Sequence, residues 1–170
     1  MPISLTPDHI LIVLFLSLVL VAAGQDVSRY RIPNWISVAI IGLYPFHAWL
    51  SAAPVPWGWS LMVAGIVFVA GFALFAFKVL GGGDVKLLVA TSLWAGPAYI
   101  FDLLIFTALA GGVMAIVLVS RAKLVLAWAF DHAGWTGLRD KMMSDVLPYG
   151  LAIAVGSGVV ALQLFQGGLS

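Results

Sequence analysis

The sequence predicts an all-α membrane protein, a polytopic helical bundle with about six transmembrane helices. Of its 170 residues, 63% are hydrophobic and 9% are charged, whereas an ordinary soluble domain carries about 25% charged residues. Such a chain cannot cover a water-facing surface. Because each membrane crossing takes roughly 20 apolar residues, we expect one bundle with short loops, forming a single domain over residues 1–170.

Six apolar stretches carry this prediction, and backbone hydrogen bonding in hydrocarbon requires each to be a helix. They are His9–Gly24, Trp35–Leu50, Trp59–Phe77, Val85–Ala95, Ala98–Ser120 and Val146–Phe165. The fourth stretch is short and ends at Gly96-Pro97, where we expect a turn between the fourth and fifth helices. The segment Met1–His9 has Asp8 and no Lys or Arg, so a retained first helix is favoured over a signal peptide.

The basic residues predict the orientation of the bundle. All eight fall in or beside the connections after the first, third and fifth stretches: Arg29, Arg31, Lys78, Lys86, Arg121, Lys123, Arg139 and Lys141. The remaining connections and both ends of the chain have none. The positive-inside rule places the basic connections in the cytoplasm, so we expect both termini on the opposite side.

The longest connection, Arg121–Asp145, is not plainly polar. Trp128 and Trp135 lie among basic residues such as Arg139 and Lys141, a mixture that suits the membrane–water boundary. We expect an interfacial connector, and docking of a substrate chain is the alternative.

The composition excludes several kinds of site. With no cysteine there can be no disulfide, thiolate nucleophile, iron–sulfur cluster or cysteine-ligated zinc. His9, His47 and His132 fall on both sides of the membrane without metal-ligand spacing, so neither a metal nor another cofactor is expected. A net charge of +1 gives no reason to expect nucleic acid as a partner.

Carboxylate chemistry must come from aspartate, because all seven acidic residues are Asp. Asp26 ends the first helix and Asp84 begins the fourth, which puts both at the cytoplasmic end. Two carboxyl groups that meet cannot both ionise, so one holds a proton while the other accepts one from an attacking water. The protonated partner can then protonate a leaving amine. The alternative is that each Asp caps a helix beside Arg29 or Lys86, although ionisable groups in membrane segments are functional candidates.

Three glycines, Gly81 to Gly83, come directly before Asp84. Glycine permits close backbone approach, so the run could leave a strip where an extended peptide lies beside the carboxyl. A flexible turn or an anion nest is the alternative. A phosphate-binding loop fits poorly, because no G-K-[ST] follows and an aspartate repels phosphate.

Two motifs carry a resemblance to a known family. The segment from Gly81 to Leu88 resembles the G-x-G-D signature of the type IV prepilin peptidases, which are intramembrane aspartyl proteases. Asp26, followed by a basic stretch and Ile32-Pro33-Asn34, is similar to that family's first motif. Pro148-Tyr149-Gly150 is similar to a third feature of the family.

This resemblance implies an enzyme of the bacterial inner membrane that removes the basic leader of prepilin-like, single-helix membrane proteins. It implies Asp26 and Asp84 as the catalytic pair, with Gly81, Gly82, Gly83 and Lys86 as motif positions that support substrate binding. Longer members have a cytoplasmic segment with two cysteine pairs and also N-methylate the new terminus. This chain lacks that segment, so it resembles the short branch of tight-adherence (Flp-type) pili, and methylation is not implied.

Two other functions stay open from the residues alone. A small proton- or ion-coupled transporter could use Asp26 and Asp84 as its carrier site, although charges near the bilayer midplane would then be expected. The second open function is that of a non-catalytic assembly subunit. The sequence leaves the oligomeric state open.

Structural expectations outside the site are few. Asn34 is expected to be the N-cap of the second helix. Asp102 is expected to face water or a neighbouring helix. The pairs Ala108/Gly112 and Ala154/Gly158 are expected at close helix contacts.

Overall fold

The computed structural model describes residues 7–29, 31–51, 54–119 and 149–167. Within them lie five helices: α1 Pro7–Arg29, α2 Asn34–Leu50, α3 Trp57–Ala76, α4 Gly82–Val119 and α5 Tyr149–Gly167. Four of them, α1, α3, α4 and α5, are long and apolar enough to cross a membrane, and α2 has 17 residues. The predicted helical membrane bundle is confirmed. The number of spans and the side of the termini stay predictions, and the connector Arg121–Asp145 and His132 lie outside the described residues.

The predicted interruption at Gly96-Pro97 lies within the α4 range, where two helical segments join. Gly96 has φ 55° and ψ −165°, values that are not helical, and positive φ strongly favours glycine. A side chain there would also meet the Ser60 hydroxyl, 2.7 Å from the added carbon. The break divides α4 into residues 82–95, which contact α2 and α3, and residues 97–119, which contact α5.

A stack of rings joins α1, α2 and α4 inside the bundle. Trp94 of α4 stacks on Phe15 of α1 at 4.5 Å between ring centroids and on His47 of α2 at 4.8 Å. The Trp94 indole N–H donates a hydrogen bond to the carbonyl oxygen of Ile40, 2.9 Å away. Because lipid supplies no hydrophobic drive between helices, such packing and hydrogen bonding are what hold them together.

The α4–α5 contact depends on a glycine that the sequence did not single out. A methyl group on Gly156 would lie 2.6 Å from the carbonyl oxygen of Leu103, so only glycine permits this approach. The predicted contacts at Gly112 and Gly158 are wrong, because a side chain at either would meet open space. Asp102 faces a neighbouring helix as expected, accepting a hydrogen bond from the Gln163 amide of α5 at 2.8 Å.

Five helix ends meet at one end of the bundle. The backbone N–H of Gly150, at the start of α5, contacts Asp26 near the end of α1. The Lys86 ammonium of α4 donates to the Asn34 amide oxygen of α2 at 2.9 Å. The expectation that Asn34 is an N-cap is wrong: the cap position is Pro33, and the Asn34 side chain is occupied by Lys86. The basic residues predict that this end is cytoplasmic.

The opposite end of the bundle holds a buried polar pair. Nδ1 of His47 lies 2.5 Å from Oδ1 of Asp8, and both residues are buried. The pair joins the first turn of α1 to the last turn of α2.

Replacing His47 by Ala is expected to lower the free energy of unfolding by about 3 kcal/mol, because the buried Asp8 carboxyl loses its partner. Unfolding of the purified protein by SDS in mixed micelles measures this change. In the double variant Asp8→Ala, His47→Ala the loss should be smaller than the sum of the two single losses. Strictly additive losses would contradict a direct interaction.

Candidate active site

Asp26 is held at the junction of α1 and α5. The residue is 6% exposed, and its Oδ2 accepts a hydrogen bond from the backbone N–H of Gly150 at 2.8 Å. A methyl group on Gly150 would lie 2.8 Å from that same oxygen and 2.9 Å from the Asp26 β-carbon. The donor at this position must therefore be a glycine if Asp26 is to keep its place.

Asp84 is the third residue of α4 and is 9% exposed. The backbone N–H of Gly81 donates a hydrogen bond to its carboxyl group, as the third helical residue does in a capping box. Oδ1 is buried without a hydrogen-bond partner among the described residues. A buried acceptor left unpaired is costly, so this oxygen is available for a ligand, a water or a shared proton.

The carboxyl groups of Asp26 and Asp84 lie close enough to interact electrostatically. The structure therefore brings together two aspartates 58 positions apart (84 minus 26) at one end of the bundle. Among the described residues, neither carboxyl forms an ion pair with Lys or Arg, which disfavours the reading that Arg29 or Lys86 neutralises them. Two interacting carboxyl groups titrate as a pair and can divide one proton between them.

At each of the three glycines, an added side chain would collide with a neighbouring group. A methyl group on Gly81 would stand 2.7 Å from Oδ2 of Asp84, one on Gly82 would stand 3.2 Å from the ring of Phe75, and one on Gly83 would stand 3.3 Å from the β-carbon of Ile32. The first turn of α4 thus fits between the end of α3 and the residues before α2. Gly81 itself is exposed, so the approach to Asp84 on that side has no side chain in the way.

Gly81→Ala is expected to lower the turnover rate about tenfold, because the new methyl group displaces the Asp84 carboxyl, and small misplacements of reacting groups are costly. Gly112→Ala on α4 is the matched control, since the added methyl group there would meet open space. Initial rates with the two purified variants measure the difference. Equal rates would mean that Gly81 does not position Asp84.

Lys86 does not reach the carboxyl pair. Its side chain is exposed and its hydrogen bond to Asn34 ties the start of α2 to the start of α4. Its observed role is therefore to brace the two helix starts. No group of three or more His, Cys, Asp or Glu that could hold a metal occurs in the part of the chain that the structure describes.

Gly150 is the residue whose role the sequence did not reveal. Pro148-Tyr149-Gly150 could be noted only as a likeness, since nothing in a Tyr-Gly pair predicts a hydrogen bond to a carboxyl group 124 positions away. A glycine at the start of an apolar helix, where helix propensity disfavours it, was the one available signal.

Comparison with known proteins gives one match. A sequence model described as the type IV leader peptidase family matches residues 13–116, more than half of the chain. The matched range includes Asp26, the glycine run and Asp84, and it ends before α5. No curated protein and no solved structure gives a significant match.

Proposed function

Because this chain belongs to the type IV leader peptidase family, we propose that it is a membrane aspartyl endopeptidase that cleaves the leader peptide of prepilin-like substrates at the cytoplasmic face. Family membership supports a peptidase. The observation that carries the aspartyl mechanism is the pair of buried, interacting carboxyl groups of Asp26 and Asp84.

The two carboxyl groups provide the general base and the general acid that peptide hydrolysis needs. One carboxylate takes a proton from the attacking water while the other, protonated, donates its proton to the carbonyl oxygen. When the tetrahedral intermediate collapses, the first carboxyl gives the proton from water to the leaving amine, and the second recovers its own from the hydroxyl group. The Gly150 N–H fixes one oxygen of Asp26, and the Gly81 N–H holds the Asp84 carboxyl. Each side chain is thus oriented by the backbone and keeps an oxygen for the reaction.

The position of the pair fits a substrate anchored in the bilayer. Asp26 ends one candidate span and Asp84 begins another, so both lie where a membrane helix would emerge into water. A single-helix protein with a leader just outside the membrane would present its scissile bond at that depth. The proposed location is the bacterial inner membrane, with several passes of the chain.

Purified protein in detergent, mixed with a single-helix substrate carrying a basic leader, tests the proposal. Gel electrophoresis should show a shortened product, and mass spectrometry should place its new terminus just ahead of the apolar helix with an unmodified amine. An intact substrate under conditions where the enzyme stays folded would overturn the proposal. Proton flux into liposomes without proteolysis would instead favour the transporter.

A further inference from the structure

A groove runs along the bundle between α2 and α3. Each of these helices packs on α4, yet they barely touch each other, whereas α1 packs on both α2 and α5. Between them, toward the end away from Asp84, lies an apolar cavity of about 420 Å³ bordered by Ile41, Leu61 and Leu93. We call this opening the α2–α3 groove.

The α2 wall is one continuous helical face. Ile41, Pro45 and Ala48 border the cavity, and Val38 and Asn34 follow at the same spacing toward the aspartates, so all five lie on one side of the helix. Val38 is 67% exposed. The face ends at Asn34, whose side chain is held by Lys86 of α4.

The α3 wall repeats this spacing in the opposite direction. Leu61 borders the cavity, and Gly65, Phe68, Phe72 and Phe75 continue the same face. The phenylalanine rings form a ladder, with centroids 6.1 Å apart from Phe68 to Phe72 and 6.4 Å apart from Phe72 to Phe75. The ladder ends where Phe75 meets Gly82.

The floor of the groove leads to the candidate active site. Gly82, Lys86, Val89 and Leu93 recur at helical spacing along α4, from the glycine turn to the cavity. Gly82 lies against Phe75, and the neighbouring Gly81 lies against the Asp84 carboxyl. The end of the groove is therefore continuous with the glycine turn that holds Asp84.

We infer that the α2–α3 groove holds the apolar helix of the substrate, while the chain ahead of that helix crosses Gly82 and Gly81 to reach Asp84. The inference rests on the proposed function and adds where the substrate is held. The walls carry no charged side chain, and Lys86 in the floor is hydrogen-bonded to Asn34 at the end of the groove. Such a lining suits an apolar helix.

The dimensions of the groove agree with this occupant. From Trp57 to Phe75 the α3 wall covers about 27 Å at 1.5 Å per residue, close to the roughly 30 Å of hydrocarbon that one substrate helix must cross. A substrate held along this length would have its scissile bond at the glycine turn. Lipid or a second copy of the chain could also fill an apolar groove, but a substrate helix is favoured because the groove ends beside Asp84, where the scissile bond must lie.

Filling the groove should slow the cleavage of a substrate that has an apolar helix, but not of a substrate that lacks one. Leu61→Trp is expected to lower kcat/KM for a helix-bearing substrate about tenfold, the change produced by 1.4 kcal/mol of lost binding. A short soluble peptide that spans the leader and cleavage site but lacks the helix should be cleaved at the wild-type rate. Leu109→Trp is the matched control, because Leu109 is 59% exposed and Leu61 53%, and it should leave both rates unchanged.

Photo-cross-linking locates the helix directly. A photoreactive amino acid at Val38, in an Asp84→Asn background that retains substrate, should give an enzyme–substrate adduct, and the same group at Val113, 61% exposed on α4, should give none. Adducts only to lipid, to a second copy or within the chain would overturn the inference, as would equal slowing of both substrates by Leu61→Trp. Failure of the wild-type protein to cleave either substrate would instead overturn the proposed function.

Discussion

Asp26→Asn and Asp84→Asn are each expected to abolish cleavage, with rates at least about a thousandfold below wild type, because general acid–base catalysis by a carboxyl pair supplies up to about 10⁴-fold. Asparagine has nearly the same shape, and at position 26 it can still accept the hydrogen bond from Gly150. It cannot take a proton from water or return one to the leaving amine. Initial rates on a helix-bearing substrate, with purified variants at equal concentration, measure the loss.

Asp102→Asn is the matched control for these two changes. Asp102 also lies on α4, but it is paired with Gln163 and takes no part in the candidate site. Its variant should cleave at close to the wild-type rate. Full cleavage by Asp26→Asn or Asp84→Asn would end the aspartyl mechanism, and equal losses in all three variants would point to misfolding.

Gly150→Ala is expected to reduce the turnover rate about a hundredfold, the cost of misplacing a reacting group by about 1 Å. The new methyl group would stand 2.8 Å from Oδ2 and 2.9 Å from the β-carbon of Asp26. The second contact is close to the backbone and cannot be relieved by rotating the carboxyl group alone. Asp26 must therefore shift, or α5 must move away from α1.

Gly158→Ala, two turns further along α5, is the matched control for Gly150→Ala. It makes the same change in the same helix, but the added methyl group meets open space. We expect unchanged turnover and equal or slightly higher stability, since Ala favours helix over Gly. Similar activity in the two variants would show that the Gly150 contact does not position Asp26.

Helices, their breaks and the candidate aspartates could be predicted from local features of the chain. The apolar stretches predicted α1 to α5 because backbone hydrogen bonding in lipid leaves no other choice, and Gly96-Pro97 predicted the break in α4 because few other residue pairs adopt that geometry. Asp26 and Asp84 stood out because a carboxyl group at the edge of an apolar helix is costly unless it is used.

Predictions that depended on which helix faces contact each other were less successful. Gly112 and Gly158 were expected in close helix contacts, but both face open space and Gly156 makes the close contact instead. Ala154, the partner of Gly158, is buried as expected. Small residues occur on several faces of these helices, and spacing within one helix carries no information about the rotation of its neighbour. Asn34 was expected to cap its own helix because Asn commonly does so, but Lys86, 52 positions away, takes its side chain.

The sequence by itself determined that this chain forms apolar helices, that its basic residues fall in alternate connections, and that one aspartate lies near the end of a helix and another near the start of one. These properties follow from composition and from spacing along single segments. Only the tertiary structure decided that Gly150 holds Asp26, that Asp8 pairs with His47, and that α2 and α3 stand apart over α4. Those contacts depend on how rigid helices rotate and pack against each other, which is a property of all five together.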